Sequence, residues 1–135
     1  MSAYSQFETI YRDRDCLVAA LNEMGYATVE VHDEAVALVG YHGDMRSQKA
    51  NVIVRRQYVG CASNDLGFVK KEDGTYSAIV SDYDSSKHNT KWFTDLKDKY
   101  LDKVTTKEAK KKGLILHSRQ VVNGKLVVRY LKQGA

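Results

Sequence analysis

Residues 66–83 read LGFVKKEDGTYSAIVSDY. Two alternating runs, Leu66–Lys71 and Thr75–Tyr83, flank Glu72-Asp73-Gly74. Asp-Gly between such runs signals a hairpin, because the tight turn needs positive φ and glycine adopts it without steric cost. The same signature closes the chain. Leu114–Val122 and Lys125–Leu131 flank Asn123-Gly124, the preferred pair for a type I′ turn. Hairpins of this kind make antiparallel sheet, so the fold is read outward from them.

Upstream lies a helix. Asp13 suits the N-cap, Asp15 the first turn, and Gly25 the C′ position. Leu17, Leu21 and Met24, with Ala20 beside them, make one apolar stripe. Phe7, Thr9 and Tyr11 alternate with their neighbours and predict a short first strand. Ala27–His32 and Ala35–Tyr41 predict two more strands, with Asp33-Glu34 as the turn between them. Gly40 and Gly43 interrupt the pattern, and Ala50–Tyr58 resumes it. Polar residues from Asp82 to Asn89 predict a mobile surface loop. Lys91–Val104 reads as a second long helix, with Phe93, Leu96, Tyr100 and Val104 on one stripe. Thr105–Glu108 matches a capping box and predicts a separate short helix ending at Gly113.

Together these elements predict a single α+β domain over residues 1–135. It has a mainly antiparallel sheet of six to eight strands, with two longer helices and one short helix packed on it. The expected core is Leu17, Leu21, Val29, Val31, Val52, Phe68, Phe93, Leu96, Val128 and Tyr130.

The bulk composition narrows the function classes. With 43% hydrophobic and 28% charged residues the chain is an ordinary globular one. No stretch approaches the length of a membrane span. The polar start, Met1–Tyr11, lacks an apolar signal core, and Cys16 and Cys61 are too few for a disulfide framework. A cytoplasmic location is expected. The net charge of +4 leans mildly toward anionic partners, but acids and bases alternate along most of the chain.

Catalytic and metal motifs are missing from the sequence. His32, His42, His88 and His117 share no helix face, and the cysteines lie far apart, so no zinc spacing exists. Gly40–Gly43 lacks the Lys-Ser/Thr of a phosphate loop. Cys16 falls in a helix first turn, where a thiol pKa can drop, but a small packed side chain is the better account of it. No cofactor and no catalytic residue is predicted.

Binding remains. Tyr41 and His42 lie between the two glycines, Asp44, Arg46 and Lys49 follow them, and Arg55 and Arg56 lie on the expected strand that leaves this loop. Exposed backbone N–H groups and guanidinium forks suit a phosphate or carboxylate, and Tyr41 or Tyr58 suits a base. These six residues (Tyr41, His42, Arg46, Lys49, Arg55 and Arg56) form the predicted ligand site. Lys107–Lys112 is a rival basic segment, better explained by a cationic helix end.

Ser5-Gln6-Phe7 with Ile10, Val39–Gly43, Asp65–Phe68, Asp73–Tyr76 with Val80 and Asp82, and Ala109–Gly113 followed by a hairpin occur in that order. In this the chain resembles the hypothetical chloroplast open-reading-frame family number thirty-five, found in plastids, cyanobacteria, other bacteria and tailed phages. The resemblance spans nearly the whole chain and implies a fold without implying an activity. A phage source would imply a small counter-defence protein directed at a host nucleotide signal or a host protein.

The expected function is therefore a non-enzymatic module that binds an anionic ligand, a nucleotide or a related small molecule, as a homo-oligomer. Two alternatives stand beside it: a protein-binding adaptor that blocks a host factor, and a small enzyme acting on a nucleotide or phosphorylated substrate. Nucleic acid is a weaker partner on the mixed charge pattern, and no membrane partner is expected.

Overall fold

The computed structural model describes residues 3–132, with the side chains of residues 115–117, 126, 128, 130 and 132 outside that description. The elements are β1 (Tyr4–Phe7), α1 (Arg14–Glu23), β2 (Glu30–Val39), β3 (Met45–Val54), α2 (Arg56–Val59), β4 (Leu66–Lys70), β5 (Tyr76–Ser81), α3 (Thr90–Lys111), β6 (Leu114–Val122) and β7 (Lys125–Lys132). A single 3-10 turn, Asp82–Asp84, links β5 to the approach of α3.

The α+β class holds. Five strands form one antiparallel sheet in the order β1-β5-β4-β3-β2. The closing hairpin forms a separate two-stranded ribbon, β6-β7, that packs against α3. Both diagnostic turns use positive φ: Gly74 at 88°, Asn123 at 52° and Gly124 at 75°.

One face of the sheet carries the helices. Leu17 and Leu21 of α1 and Leu96 and Tyr100 of α3 pack with Val52, Val54, Phe68, Ala78 and Val80. The predicted cap is present, with Asp13 accepting the Cys16 N–H at 3.0 Å and Gly25 at φ 108° past the last turn. The Tyr100 hydroxyl accepts the N–H groups of both Arg12 and Asp13, at 2.8 and 3.0 Å, and so ties α3 to the start of α1. On the opposite face Leu38, Ala50, Ile53 and Ile79 form a smaller cluster. Here Gly67 is required: a Cβ would stand 2.7 Å from the Ala50 Cβ and 2.9 Å from Leu38 Cδ2.

Several expectations are corrected. The first strand is Tyr4–Phe7; beyond it the Thr9 hydroxyl bonds to the Tyr76 carbonyl and accepts the Tyr11 N–H, which takes the chain out of the ladder. Asp33-Glu34 is not a turn. The two predicted strands are one, β2, whose register with β3 shifts between Val31 and Val36. Asn51 makes the shift tolerable: its amide donates to the His32 and Asp33 carbonyls and its oxygen accepts the Lys70 N–H.

The strand expected to reach Tyr58 stops at Val54. Arg55 caps α2 and Arg56 opens it. The capping box at Thr105–Glu108 starts nothing, since α3 runs unbroken to Lys111. No glycine or proline interrupts it, Ala109 is buried, and Lys107 pairs with Asp13 at the head of α1.

Of the expected core, Leu17, Leu21, Val52, Phe68 and Leu96 are fully buried, Val29 and Phe93 are half-buried, and Val31 is exposed at 40%. Val128 and Tyr130 lie, for their side chains, outside the described residues. No described helix is long and apolar enough to cross a membrane.

Candidate functional site

The β2–β3 turn brings part of the predicted site together. Tyr41 and His42 sit in the turn, and Arg46 is the second residue of β3. All three line a cleft of about 590 Å³, with Asp44, Ala62, Asn64 and Tyr83. Lys49 is exposed in β3 opposite Ala37 and lies outside this lining. Arg55 and Arg56 border a neighbouring depression that also includes Glu30, Met45 and Asp65.

Asp65 organises this corner. Its carboxylate is wholly buried. One oxygen accepts the Arg56 N–H at 2.7 Å; the other accepts the Val39 N–H and Arg55 Nη1, each at 2.7 Å. Arg55 also forks onto Glu30, Nε and Nη2 reaching the two carboxylate oxygens at 2.7 and 2.9 Å. The hydrogen bonds from Arg55 outweigh burial and hold the Glu30 carboxyl below its usual range. The Glu30 bond, against burial, raises the Arg55 guanidinium pKa. Arg55 is thereby committed to joining β2, β3 and the segment before β4.

Arg56 differs. Its guanidinium stands 6.0 Å from the Tyr41 ring centroid and has no carboxylate partner among the described residues. Arg46 is largely buried, pairs with Asp44 at 3.5 Å and lies over the Tyr4 ring at 5.2 Å. The cleft floor is fixed by Asn64, whose side chain accepts the Tyr41 N–H at 2.9 Å and donates to the Ser81 hydroxyl at 2.9 Å. Tyr41 and Tyr83 are both large exposed rings on the lining, at 46% and 59%.

Ala62, Asn64 and Tyr83 were missed by sequence reasoning. Tyr83 belongs to the segment read as a mobile loop. That segment is instead anchored: Asp84 is buried and accepts the Asn64 N–H at 3.0 Å, and His88 is buried against Trp92. Lys87 reaches the Val59 carbonyl and the Ser63 hydroxyl, both at 3.1 Å. The only sequence signal was a histidine with two acids and two serines crowded between two regular elements, a pattern that polar loops share.

Neither thiol has a disulfide partner, and Cys16 is buried. Burial, followed by the Asp13 carboxylate, pushes its pKa up, the direction of an inert thiol. Among the described residues no group of three or more His, Cys, Asp or Glu is placed to hold a metal.

The model of a family described as "Protein of unknown function (DUF1257)" matches residues 20–127. The chain belongs to that family. The DUF1257 match takes in the Tyr41–Tyr83 cleft, Arg56, Asp65 and His88, together with most of the sheet. Comparison with curated proteins and with solved structures returned no match.

Proposed function

We propose that this DUF1257 domain is a non-enzymatic binding module for a small anionic ligand, a nucleotide or a related molecule, held in the cleft between Tyr41 and Tyr83. The observation that carries this is Arg56, a guanidinium free of carboxylate partners among the described residues, standing over an exposed tyrosine at the cleft lip. An uncommitted guanidinium offers paired donors to a phosphate, and an exposed tyrosine ring offers a stacking surface to a base. His42, on the cleft lining itself, adds a second donor beside Arg56, which borders the neighbouring depression. Arg55 contributes by holding the strand ends in place through Asp65 and Glu30. Thermal-shift and calorimetric titration with nucleoside diphosphates tests the reading; a stabilising nucleotide recovered unchanged supports binding without turnover.

The motif likeness to the chloroplast open-reading-frame family and the DUF1257 match describe, on this reading, one family, because the motifs from Val39 to Gly113 fall inside the matched residues. Two free thiols, one of them exposed, suit a reducing cytoplasm. In a phage such a module would act by sequestering a nucleotide signal of the host.

A second reading has its own observation. The β6–β7 ribbon exposes Val121 at 71%, Val122 at 43% and Leu131 at 54%, and a two-stranded ribbon gains from being covered. A protein partner or a second copy of the chain would use that surface. Native mass spectrometry of the parent and of Val121→Lys distinguishes it: loss of an oligomer or of a co-purifying protein only in the variant supports the ribbon.

A further inference from the structure

All 17 acidic residues of the chain lie before Ala109, and seven of its 21 lysines and arginines lie after it: Lys110–Lys112, Arg119, Lys125, Arg129 and Lys132. The net charge of +4 is therefore owed entirely to the end of α3 and the β6–β7 ribbon. The alternation of acids and bases over most of the chain conceals this segregation.

The ribbon holds these charges in the open. Among the described residues only Arg119 of this set is ion-paired, to the buried Asp102 at 2.5 Å. Lys110, Lys111, Lys112, Lys125 and Arg129 are exposed and meet no acid. Asp102 turns Arg119 toward α3. Successive strand residues alternate sides, so Ser118 and its cross-strand partner Arg129 face away from α3, and Lys125 shares that side of β7. The two cations stand about 13 Å apart along the strand. Past Arg119 the ribbon tip is covered on neither side: residues 119–125 are all exposed, including the neighbours Val121 and Val122, which point oppositely.

We infer that the β6–β7 ribbon is a nucleic-acid arm, whose tip enters the major groove of duplex DNA and whose cations bind the flanking phosphates. The ligand class follows from charge and shape together. Duplex DNA carries one anion per about 1.7 Å of its axis, so a line of unpaired cations finds phosphates along its whole length. The major groove, about 12 Å wide, admits a two-stranded ribbon, and a tip bare on both sides has the room to enter it. An anionic bilayer is flat and would meet the outward side alone, leaving the other side of the tip uncovered. The major groove of an RNA duplex is too narrow for such an arm. The arm is separate from the Tyr41–Tyr83 cleft, which lies among the β2–β3 turn and the segments flanking β4 and β5.

The test is fluorescence anisotropy of a labelled, mixed-sequence DNA duplex titrated with the full chain over a range of salt. With five unpaired cations each neutralising a phosphate, log affinity should fall against log salt with a slope of about −4.5. Lys125→Gln combined with Arg129→Gln should lower affinity at least about ten-fold at low salt and flatten the slope by about 2. Changing Lys110, Lys111 and Lys112 all to Ala should flatten it by about 3. The nucleoside diphosphate affinity of the same variants reports on the Tyr41–Tyr83 cleft separately, so either reading can fail alone. No saturable binding at low salt, a parental slope in the Lys125 and Arg129 variant, or a single strand bound as tightly as the duplex would overturn the inference. So would adsorption to phosphatidylserine vesicles without duplex binding, which would make the ribbon a membrane surface. If the double variant loses the parental melting temperature, the lysine variant decides: a flattened slope supports the arm and an unchanged one overturns it.

Discussion

The Asp65 carboxylate receives Arg55 Nη1 at 2.7 Å, a contact between the residue that follows β3 and the residue that precedes β4. The same carboxylate bonds the N–H groups of Val39 and Arg56. One wholly buried anion thus ends β3, starts α2 and sets the end of β2.

Arg55→Ala therefore tests folding before it tests binding. It leaves the Asp65 carboxylate buried with backbone donors but no counter-charge. Removing one partner of a buried pair typically costs about 3–5 kcal/mol, and the fifth of the Arg55 side chain that stays exposed points to the lower end. Urea unfolding should show the loss, with Asp65→Asn destabilised as well. A change under about 0.5 kcal/mol, as at an ordinary surface site, would contradict the role given to Asp65.

Arg56 should behave in the opposite way. Arg56→Ala breaks no ion pair, so its unfolding free energy should stay within about 0.5 kcal/mol of the parent. Nucleoside diphosphate affinity should fall about ten- to a hundred-fold, the worth of a charge-assisted hydrogen bond. Tyr41→Ala should weaken binding by roughly 1–3 kcal/mol through lost stacking. A control with Lys110, Lys111 and Lys112 all changed to Ala should retain affinity at both low and high salt. Calorimetry on the three proteins checks this, and loss confined to the lysine variant would move the site to the end of α3.

Asn51→Ala tests the bulge in β2. The substitution strands the His32 and Asp33 carbonyls and the Lys70 N–H together. The three bonds are part-buried, and a hydrogen bond contributes about 0.5–1.5 kcal/mol net, so thermal unfolding should register a loss of roughly 1–3 kcal/mol. Amide exchange should quicken first at Lys70, whose N–H loses its acceptor.

These residues also explain what could be read from the sequence. The Asp-Gly and Asn-Gly hairpins and the Asp13–Gly25 helix were legible because their causes are local: a turn that needs positive φ, a side chain that caps its own helix, an apolar stripe at one spacing. The unbroken β2 was not, because Asn51 reaches it from another strand. Neither was the end of β3, where Asp65 acts across the intervening α2. Thr105–Glu108 looked like a helix start because a capping box is a local pattern, and nothing local announced that Ala109 would be buried. At the predicted site Tyr41, His42 and Arg46 share a cleft, while Arg55 is drawn into an ion-pair network whose acids, Glu30 and Asp65, lie on elements that no spacing rule connects to it.

His88 makes stability depend on pH in a defined window. Burial holds its imidazole down to about 4, from the ordinary 6.5. The nearby Asp84 carboxylate opposes this shift and the Lys87 ammonium reinforces it, while the neighbouring Tyr26 and Trp92 rings bring no charge. Because the folded value lies below the unfolded one, the unfolded chain binds the proton first as pH falls. The contribution of His88 is complete above about pH 6.5, declines between 6.5 and 4, and is gone below 4. A shift of this size corresponds to about 3 kcal/mol. Phenylalanine has no proton to gain, so in His88→Phe that slope should vanish, and the variant should overtake the parent in stability as pH drops toward 4. Chemical unfolding of both proteins at several pH values across the window measures the difference directly. Parallel curves for parent and variant would mean that the imidazole is solvated in the folded protein, and the burial assigned to His88 would be wrong.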